Sequence, residues 1–372
     1  MTKEPKILIY GASGYTGKLV AESLAQRGIP FYFTGRTLSR LKSALDVVRE
    51  RHNGPVDAEI YVASNNLDEL VPLFEKVDVV INVAGPFMQV AWPIVEACLQ
   101  ANCHYLDTTG EQDWTIAIQK KYGQAFADEG LLLSPANSYM WAAGALAGEV
   151  VLETEGVDSL DIVYQIDNAL PSEASTKSFL RMQGNAESQY FLERGEFVAW
   201  PHDQAFPVTI PHLAQPKLAL SWGGGCEPVW FEMDPRVSNC KVLTAFGDEI
   251  VNNVVDVVKK YSEMSKGMTQ DEKEALTNQL GDEMTSEEPP KDDRDIHRTV
   301  IVCRGQGRQV ATSFELSLCA PYTFTGEICA EAAERILTGQ LKKAGFQSAA
   351  VAFGHRELLE SFHKLGYSNL PA

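Results

Sequence analysis

The run Lys6-Ile7-Leu8-Ile9-Tyr10-Gly11-Ala12-Ser13-Gly14-Tyr15-Thr16-Gly17-Lys18-Leu19-Val20 decides the fold. Lys6 to Tyr10 is a short apolar run that stops at a glycine, as a buried parallel strand does on entering a turn. From Lys18 to Arg27 the period becomes helical, with Leu19, Val20, Leu24 and Ala25 on one face. A glycine pattern carries weight in this strand–turn–helix setting and little outside it. The spacing is GxxGxxG, not GxGxxG, yet the physical demands are shared. Gly11 permits the tight turn, Gly14 lets backbone approach a pyrophosphate, and Gly17 lets helix pack on sheet. Backbone N–H groups at the helix start, backed by the helix dipole, hold an anion, and Ser13, Tyr15 and Thr16 can add donors. The stretch predicts a dinucleotide-binding turn. The competing reading is a fold of the same kind that has lost its ligand.

Strand and helix patterns alternate on either side of short loops from there to Ser134. Phe31–Thr34, Ala58–Ala63, Val77–Val83, His104–Asp107 and Leu131–Ser134 read as strands. Leu38–Arg51, Leu67–Glu75, Pro93–Ala101 and Thr115–Glu129 read as helices. That alternation predicts an α/β fold: a Rossmann doubly wound parallel sheet over residues 1–137. The end of the second strand selects the cofactor. A carboxylate there binds a ribose 2′-hydroxyl and repels a 2′-phosphate. The residues present are Thr34-Gly35-Arg36-Thr37, then Ser39 and Arg40, with no acid among them. Arg36 can stack on adenine and pair with a 2′-phosphate, helped by Thr37 and Arg40, which favours NADPH/NADP+ over NAD. Ala84, Gly85, Pro86 and Phe87 follow the fourth strand and are expected along the dinucleotide, at the carboxyl ends of the strands. Asp107, Gly110 and Glu111 follow the fifth. Asp107 and Gly110 are expected at the cofactor, and Asp107 and Glu111 are candidates for orienting substrate or relaying protons. The alternative for both acids is capping and loop anchoring.

Composition narrows the classes. The chain has 372 residues, 45% of them hydrophobic, and a formal net charge of −18. Such a chain has material for proper cores, and its acidity argues against nucleic acid or an anionic membrane surface as partner. The first residues, Met-Thr-Lys-Glu-Pro, lack the apolar core of a signal peptide, and no apolar run is long enough for a membrane span. The expected location is cytoplasmic. Seven scattered cysteines without a CxxC pair suggest buried, reduced thiols. The seven histidines show no metal-binding spacing, so no metal is expected, and there is no GxSxG elbow.

Beyond about Pro135 the pattern changes. Leu160–Asp167, Pro228–Met233, Lys241–Ala245, Thr299–Cys303 and Ala311–Cys319 read as strands, which predicts a second α+β domain on a mixed sheet over 138–320. Residues 262–296 hold eleven acidic and four basic side chains, a solvated insertion or a lid. Within it Thr269 and Glu272 have the spacing of a capping box. Trp222-Gly223-Gly224-Gly225-Cys226 reads as a turn or a place of close substrate approach. Phe324–Leu341 is a helix ending at Gly339. The apolar strands of this part are compatible with a homodimer.

Taken together, Gly11–Gly17, Thr34-Gly35-Arg36, Asp78–Phe87 and Tyr105–Glu111 resemble the NADP-binding domain of the saccharopine dehydrogenase-like oxidoreductases over about the first 135 residues. Tyr322–Gly339 and Gly345-Phe346-Gln347 are similar to the C-terminal end of that family. The resemblance implies NAD(P)H use, a second domain around a mixed sheet, and a final segment (321–372) returning to the Rossmann domain. The family spans imine-type and enoyl reductions, so it does not choose a substrate. An amino-acid substrate needs a carboxylate clamp, for which Arg181, Arg194, Arg236, Arg298, Arg304 and Arg308 are available. Tyr139, Tyr322 and Lys177 are the candidate proton donors. The expected activity is NADPH-dependent reduction of a C=N or activated C=C bond in a small-molecule substrate. The alternatives are an NADP(H)-binding sensor or scaffold without turnover, and an NADP-dependent dehydrogenase oxidising an amine or alcohol.

Overall fold

A computed structural model of the chain describes residues 6–168, 172–185, 189–201, 203–284 and 288–371. The opening Met1–Pro5, His202 and positions 285–287 of the acidic stretch lie outside the described residues. The chain divides into two compact units. One comprises 6–109, 117–139 and 322–354, and the other 110–116, 140–321 and 355–371.

The first unit carries β1 (Ile7–Tyr10), α1 (Tyr15–Gln26), β2 (Phe31–Gly35), α2 (Leu38–His52), β3 (Ala58–Val62), α3 (Leu67–Phe74), β4 (Val79–Asn82), α4 (Phe87–Val90), α5 (Trp92–Gln100) and β5 (His104–Asp107). The chain continues through α6 (Gln112–Asp128), β6 (Leu132–Ser134) and α7 (Tyr139–Val151). The second unit then adds β7 (Ser159–Asp167), α8 (Glu173–Gly184), β8 (Tyr190–Glu193), β9 (Glu196–Ala199), β10 (Phe206–Val208), β11 (Lys217–Ala219), α9 (Glu227–Glu232), β12 (Asn239–Ala245), α10 (Asp248–Met264), α11 (Gln270–Met284), β13 (Arg298–Gln306) and β14 (Ala311–Cys319). Last come α12 (Pro321–Leu337), β15 (Gly345–Phe346), α13 (Ala349–Phe353) and α14 (His355–Lys364).

The sheet of the first unit runs β15-β6-β5-β4-β1-β2-β3, and all its pairings are parallel. This is the doubly wound order, with its reversal point between β1 and β4. Ile7, Leu8, Ile9, Val79, Val80 and Ile81 are fully buried, which is why these strands read as continuous apolar runs, not alternating ones. The C-terminal part supplies the seventh strand through Gly345–Phe346. It also supplies α12, which lies so close to α1 that a Cβ on Gly326 would stand 2.7 Å from the Leu19 carbonyl. Arg27 at the end of α1 pairs with Glu327, Glu331 and Glu334 of α12. Residues 355–371 instead belong to the second unit. There Arg356 and His355 pair with Glu153, and Ser368 bridges to Leu318.

The second unit is built on a mixed sheet, β14-β13-β7-β12-β8-β9, in which only the β7–β12 pairing is parallel. The β10–β11 hairpin contributes Val208 and Ala219 to a core with Val163, Ala245 and Val302. Pro228–Met233, expected as a strand, is the helix α9. Pro228 sits in its first turn, where a missing N–H costs nothing, so the apolar run reads equally well as a buried helix. The expected capping box is present: Thr269 N–H donates to the Glu272 carboxylate at 2.7 Å, and Glu272 N–H to the Thr269 hydroxyl at 3.3 Å. The helix it starts packs on α8, where a Cβ on Gly281 would meet Lys177. All seven cysteines are free thiols, six of them buried. Among the described residues no helix is long and apolar enough to cross a membrane, and no cluster of His, Cys, Asp or Glu is arranged to hold a metal ion.

Candidate functional site

The carboxyl ends of the first sheet carry the candidate site. Gly11 has φ +84°, a conformation other residues adopt only with strain, and its N–H donates to the Thr34 carbonyl at 3.0 Å. A Cβ there would stand 2.9 Å from the Ala84 nitrogen, so the β1 turn and the β4 loop touch at the reversal point of the sheet. At Gly17 a Cβ would stand 2.6 Å from the Ala12 backbone. Gly14 differs from both. Its Cβ would meet only the Gly11 carbonyl oxygen, at 3.4 Å, and the residue is exposed. The protein's own packing therefore demands Gly11 and Gly17, whereas Gly14 is dispensable to it. Gly14 is also the N-cap of α1 and has no side chain to cap it, so this 12-residue helix opens on a glycine at the place where a phosphate is held in folds of this kind.

Arg36, Thr37, Ser39 and Arg40 are exposed just past β2. Neither Arg36 nor Arg40 makes an ion pair among the described residues. On the other side of the reversal point Ala84, Gly85 and Pro86 are half-buried, and Phe87 is buried. Their loop is held by a buried chain of hydrogen bonds. Ala84 N–H donates to Asn82 Oδ1 (3.0 Å), Asn82 Nδ2 to the Tyr105 hydroxyl (3.1 Å), and Tyr105 to Asp107 Oδ2 (2.9 Å). Asp107 Oδ1 accepts from the N–H groups of Thr109 (3.0 Å) and Ala136 (2.8 Å). Asp107 is 0% exposed. It was expected at the cofactor; the structure makes it the internal tie that joins the ends of β4, β5 and β6. Burial, followed by the nearby Asp107 charge, pushes the Tyr105 hydroxyl well above its usual pKa, so it stays a donor.

Registers across the sheet show what the strand ends share. Tyr61, Thr34, Tyr10, Asn82 and Asp107 form one lateral row over β3, β2, β1, β4 and β5. The row before it is Ile60, Phe33, Ile9, Ile81 and Leu106. The sheet thus turns from apolar to polar in one step at its carboxyl rim. Sequence reading passed over Tyr10, Thr34 and Tyr105. The available signal for Tyr10 and Thr34 was a polar residue at or next to the end of an apolar strand; Tyr105, inside β5, offered none.

The other expected residues fall as follows. Tyr139 is buried, and its N–H donates to the Thr325 hydroxyl of α12 at 2.9 Å. Tyr322, in the first turn of α12, stands edge-on to Tyr15 of the phosphate loop, with ring centroids 5.1 Å apart. Ser13 and Thr16 are half-buried on that loop. Gly110 belongs to the second unit, where its carbonyl accepts from the Trp141 indole at 3.4 Å.

In the second unit Arg181, Glu111 and Lys177 are already paired. Arg181 is 1% exposed and holds Asp113 through both terminal nitrogens (3.0 and 2.6 Å) and Glu111 through one (2.7 Å). Ser178 donates to the second Glu111 oxygen at 2.9 Å. Of the arginines considered as a substrate clamp, Arg181 is therefore a clamp for the protein's own carboxylates, and Glu111 is a structural partner of it. Lys177 pairs with Glu173 and Asp282, each at 2.6 Å. Desolvation works against its charge, but the bonds from Asp282 and Glu173 outweigh it and hold its pKa above the ordinary lysine value. This is the opposite of a lysine poised to give up a proton near neutrality. The glycine run is a tightly packed turn. Residues 222 to 225 all have positive φ, and a Cβ on Gly224 would stand 2.4 Å from the Gln112 amide oxygen. Beside it Glu227, 0% exposed, accepts from the Tyr164 hydroxyl at 2.7 Å. Burial raises the Glu227 carboxyl to about 8 in spite of that bond.

A parallel sheet in doubly wound order, a phosphate loop at its reversal point and an acid-free end of β2 define a dinucleotide-binding Rossmann domain. Residues 7–127 match the Saccharopine dehydrogenase NADP binding domain, and the first unit is an NADP-binding domain of that type. Residues 142–372, more than half of the chain, match a second family, and the chain belongs to it: "Family of unknown function (DUF5938)". The chain is 28% identical over 142 residues to the human "Saccharopine dehydrogenase-like oxidoreductase", a match covering 34% of the chain and 32% of that protein. It is 32% identical over 133 residues to the Mycobacterium bovis "Trans-acting enoyl reductase", covering 34% and 31%. The matched stretch spans about a third of the length of each of these relatives. Saccharopine dehydrogenase (L-Glu forming) from Saccharomyces cerevisiae superposes with a TM-score of 0.62 over 97% of the chain and 98% of that structure, at 11% identity, a likeness of fold.

Proposed function

We propose that the chain is an NADPH-dependent reductase that transfers hydride to a C=N or activated C=C bond of a small metabolite. The observation that carries the NADPH part is the pair Arg36 and Arg40, exposed past β2 with no acidic partner among the described residues. In a chain of net charge −18, a cation left unpaired beside a phosphate loop is a site for a second phosphate. The residues fit such a dinucleotide. Gly14 leaves room for a close approach, the α1 N-terminus offers N–H groups for the pyrophosphate, and Ala84–Phe87 form the wall beyond the reversal point. Bound there, NADPH supplies hydride. The chain's task is to hold it, exclude water and manage one proton. Lys177 is the least favoured of the three candidate donors, because Glu173 and Asp282 hold its charge. Tyr322, partly exposed against the phosphate loop, and Tyr139 are the hydroxyls to test. Reduction is favoured by the enoyl reductase among the relatives, a statement about that protein that we extend to this one as part of the proposal.

The test is NADPH oxidation against a panel of imines, activated enoyl compounds and carbonyls. Consumption of NADPH with an imine or enoyl acceptor supports the proposal. Tight binding without oxidation by any acceptor replaces it with a binding role, and turnover only with NADP+ plus an amine or alcohol replaces it with a dehydrogenase.

A further inference from the structure

We propose that the Tyr10 hydroxyl is a hydrogen-bond donor for the 2′-phosphate of NADPH, acting beside Arg36. The assignment rests on the reading of this rim as an NADPH site. Tyr10 closes β1 and is 3% exposed, and its hydroxyl oxygen has no hydrogen-bond partner among the described residues. The same holds for Thr34 Oγ1, on a side chain that is 0% exposed. These two residues are register partners on adjacent parallel strands, so their side chains leave the same face of the sheet. Thr34 is two positions before Arg36. Arg36 is the charged group whose field acts most strongly on the Tyr10 hydroxyl, ahead of Glu69, while burial keeps the phenol protonated and able to donate.

The rest of the row sets these two apart. Asn82 and Asp107 are tied through Tyr105, and the Tyr61 hydroxyl accepts from Lys76 at 3.0 Å. Two hydroxyls in the middle of the row have no partner among the described residues, and they belong to Thr34, two positions before Arg36, and to its register partner Tyr10. A buried polar group without a partner is costly, and the few that native proteins keep call for an explanation. A 2′-phosphate explains both: it offers several acceptor oxygens, needs donors as well as charge, and belongs next to Arg36.

The hydroxyl of Tyr10 then has an unusual profile. It does nothing for the folded protein alone and matters only when the phosphate arrives. NADPH and NADH are titrated by calorimetry into the wild type and Tyr10→Phe, and each protein is melted without nucleotide. The NADPH Kd is expected to rise about tenfold, the worth of one hydrogen bond to a charged acceptor, with NADH affinity held within about twofold. The melting temperature of the nucleotide-free variant is expected to stay level or rise. Thr34→Val, which keeps side-chain volume, is expected to repeat this pattern at smaller amplitude. Unchanged NADPH affinity, equal loss for both nucleotides, or a lower melting temperature of nucleotide-free Tyr10→Phe overturns the assignment, the last by showing that the hydroxyl is already satisfied in the free protein. Wild-type protein that fails to bind NADPH contradicts the site itself; a binding wild type with an indistinguishable variant contradicts only the role of Tyr10.

Discussion

The rim of the first sheet and the interior of the second unit use the same residue types to opposite ends. At the rim, Arg36 and Arg40 are exposed and carry charge that no described acid matches. Inside the second unit Arg181 is buried against Glu111 and Asp113, and nearer its surface Lys177 lies between Glu173 and Asp282. The number of cations is no guide to a site. What distinguishes the two regions is whether the charge is already answered from within the chain. An answered charge holds elements together; an unanswered one, placed beside a helix N-terminus and a glycine turn, is available to a ligand.

That contrast breaks first at the glycines. Gly17→Val forces a backbone conflict at Ala12 and is expected to abolish folding, read as loss of the cooperative melting transition. Gly14→Val should melt like the wild type and bind no NADPH, because only a ligand needs that space. A destabilised Gly14→Val, or one that still binds, removes the distinction between glycines of the fold and glycines of the site. Next comes Arg181→Met. It strands two buried carboxylates and should cost about 3–5 kcal/mol in a denaturant titration. A loss below about 1 kcal/mol would show that Glu111 and Asp113 are not held as a buried triad.

Glu227 gives a pH signature. Its folded pKa of about 8 lies above the 4.5 of an ordinary glutamate, so between those values the folded protein binds the proton that the unfolded chain releases. This contribution to stability is fully present below about pH 4.5 and is lost as pH rises to about 8, at up to about 1.4 kcal/mol per pH unit. Glu227→Gln should flatten that part of the stability–pH curve. Parallel curves for the two proteins would mean that Glu227 is ionised in the fold. The smallest effect is expected from Lys177→Met. Its partners Glu173 and Asp282 are mostly exposed, so the variant should lose under about 1 kcal/mol and keep its NADPH affinity.

The first unit was largely legible in the sequence because its central strands are buried on both faces and β1 and β2 run into glycines. Ile7–Tyr10 and Val79–Asn82 could hardly be anything else, and the phosphate loop lies between a strand and a helix as its spacing requires. The second unit was less so. Glu227–Glu232 is a short apolar run with no decisive period, and burial makes it helix or strand with equal ease. The short strands β8 to β11 carried no signal because three- and four-residue pieces complete no pattern. Within the site, Arg36 could be found from its place after β2. The internal role of Asp107 could not, since hydrogen bonds to Tyr105 and to the N–H of Ala136 depend on three strand ends meeting. The same limit hid Tyr10, which is one aromatic residue in an apolar strand until the register sets it beside Thr34.

The most direct test of the account is the affinity of wild type and Arg36→Glu for NADPH and NADH, measured at one ionic strength. If the rim binds the 2′-phosphate through Arg36, the wild type prefers NADPH. The variant, having lost a partner and gained a repulsion, should then lose about 100-fold or more for NADPH while changing little for NADH. Equal weakening of both nucleotides, or a wild type with no preference between them, contradicts it.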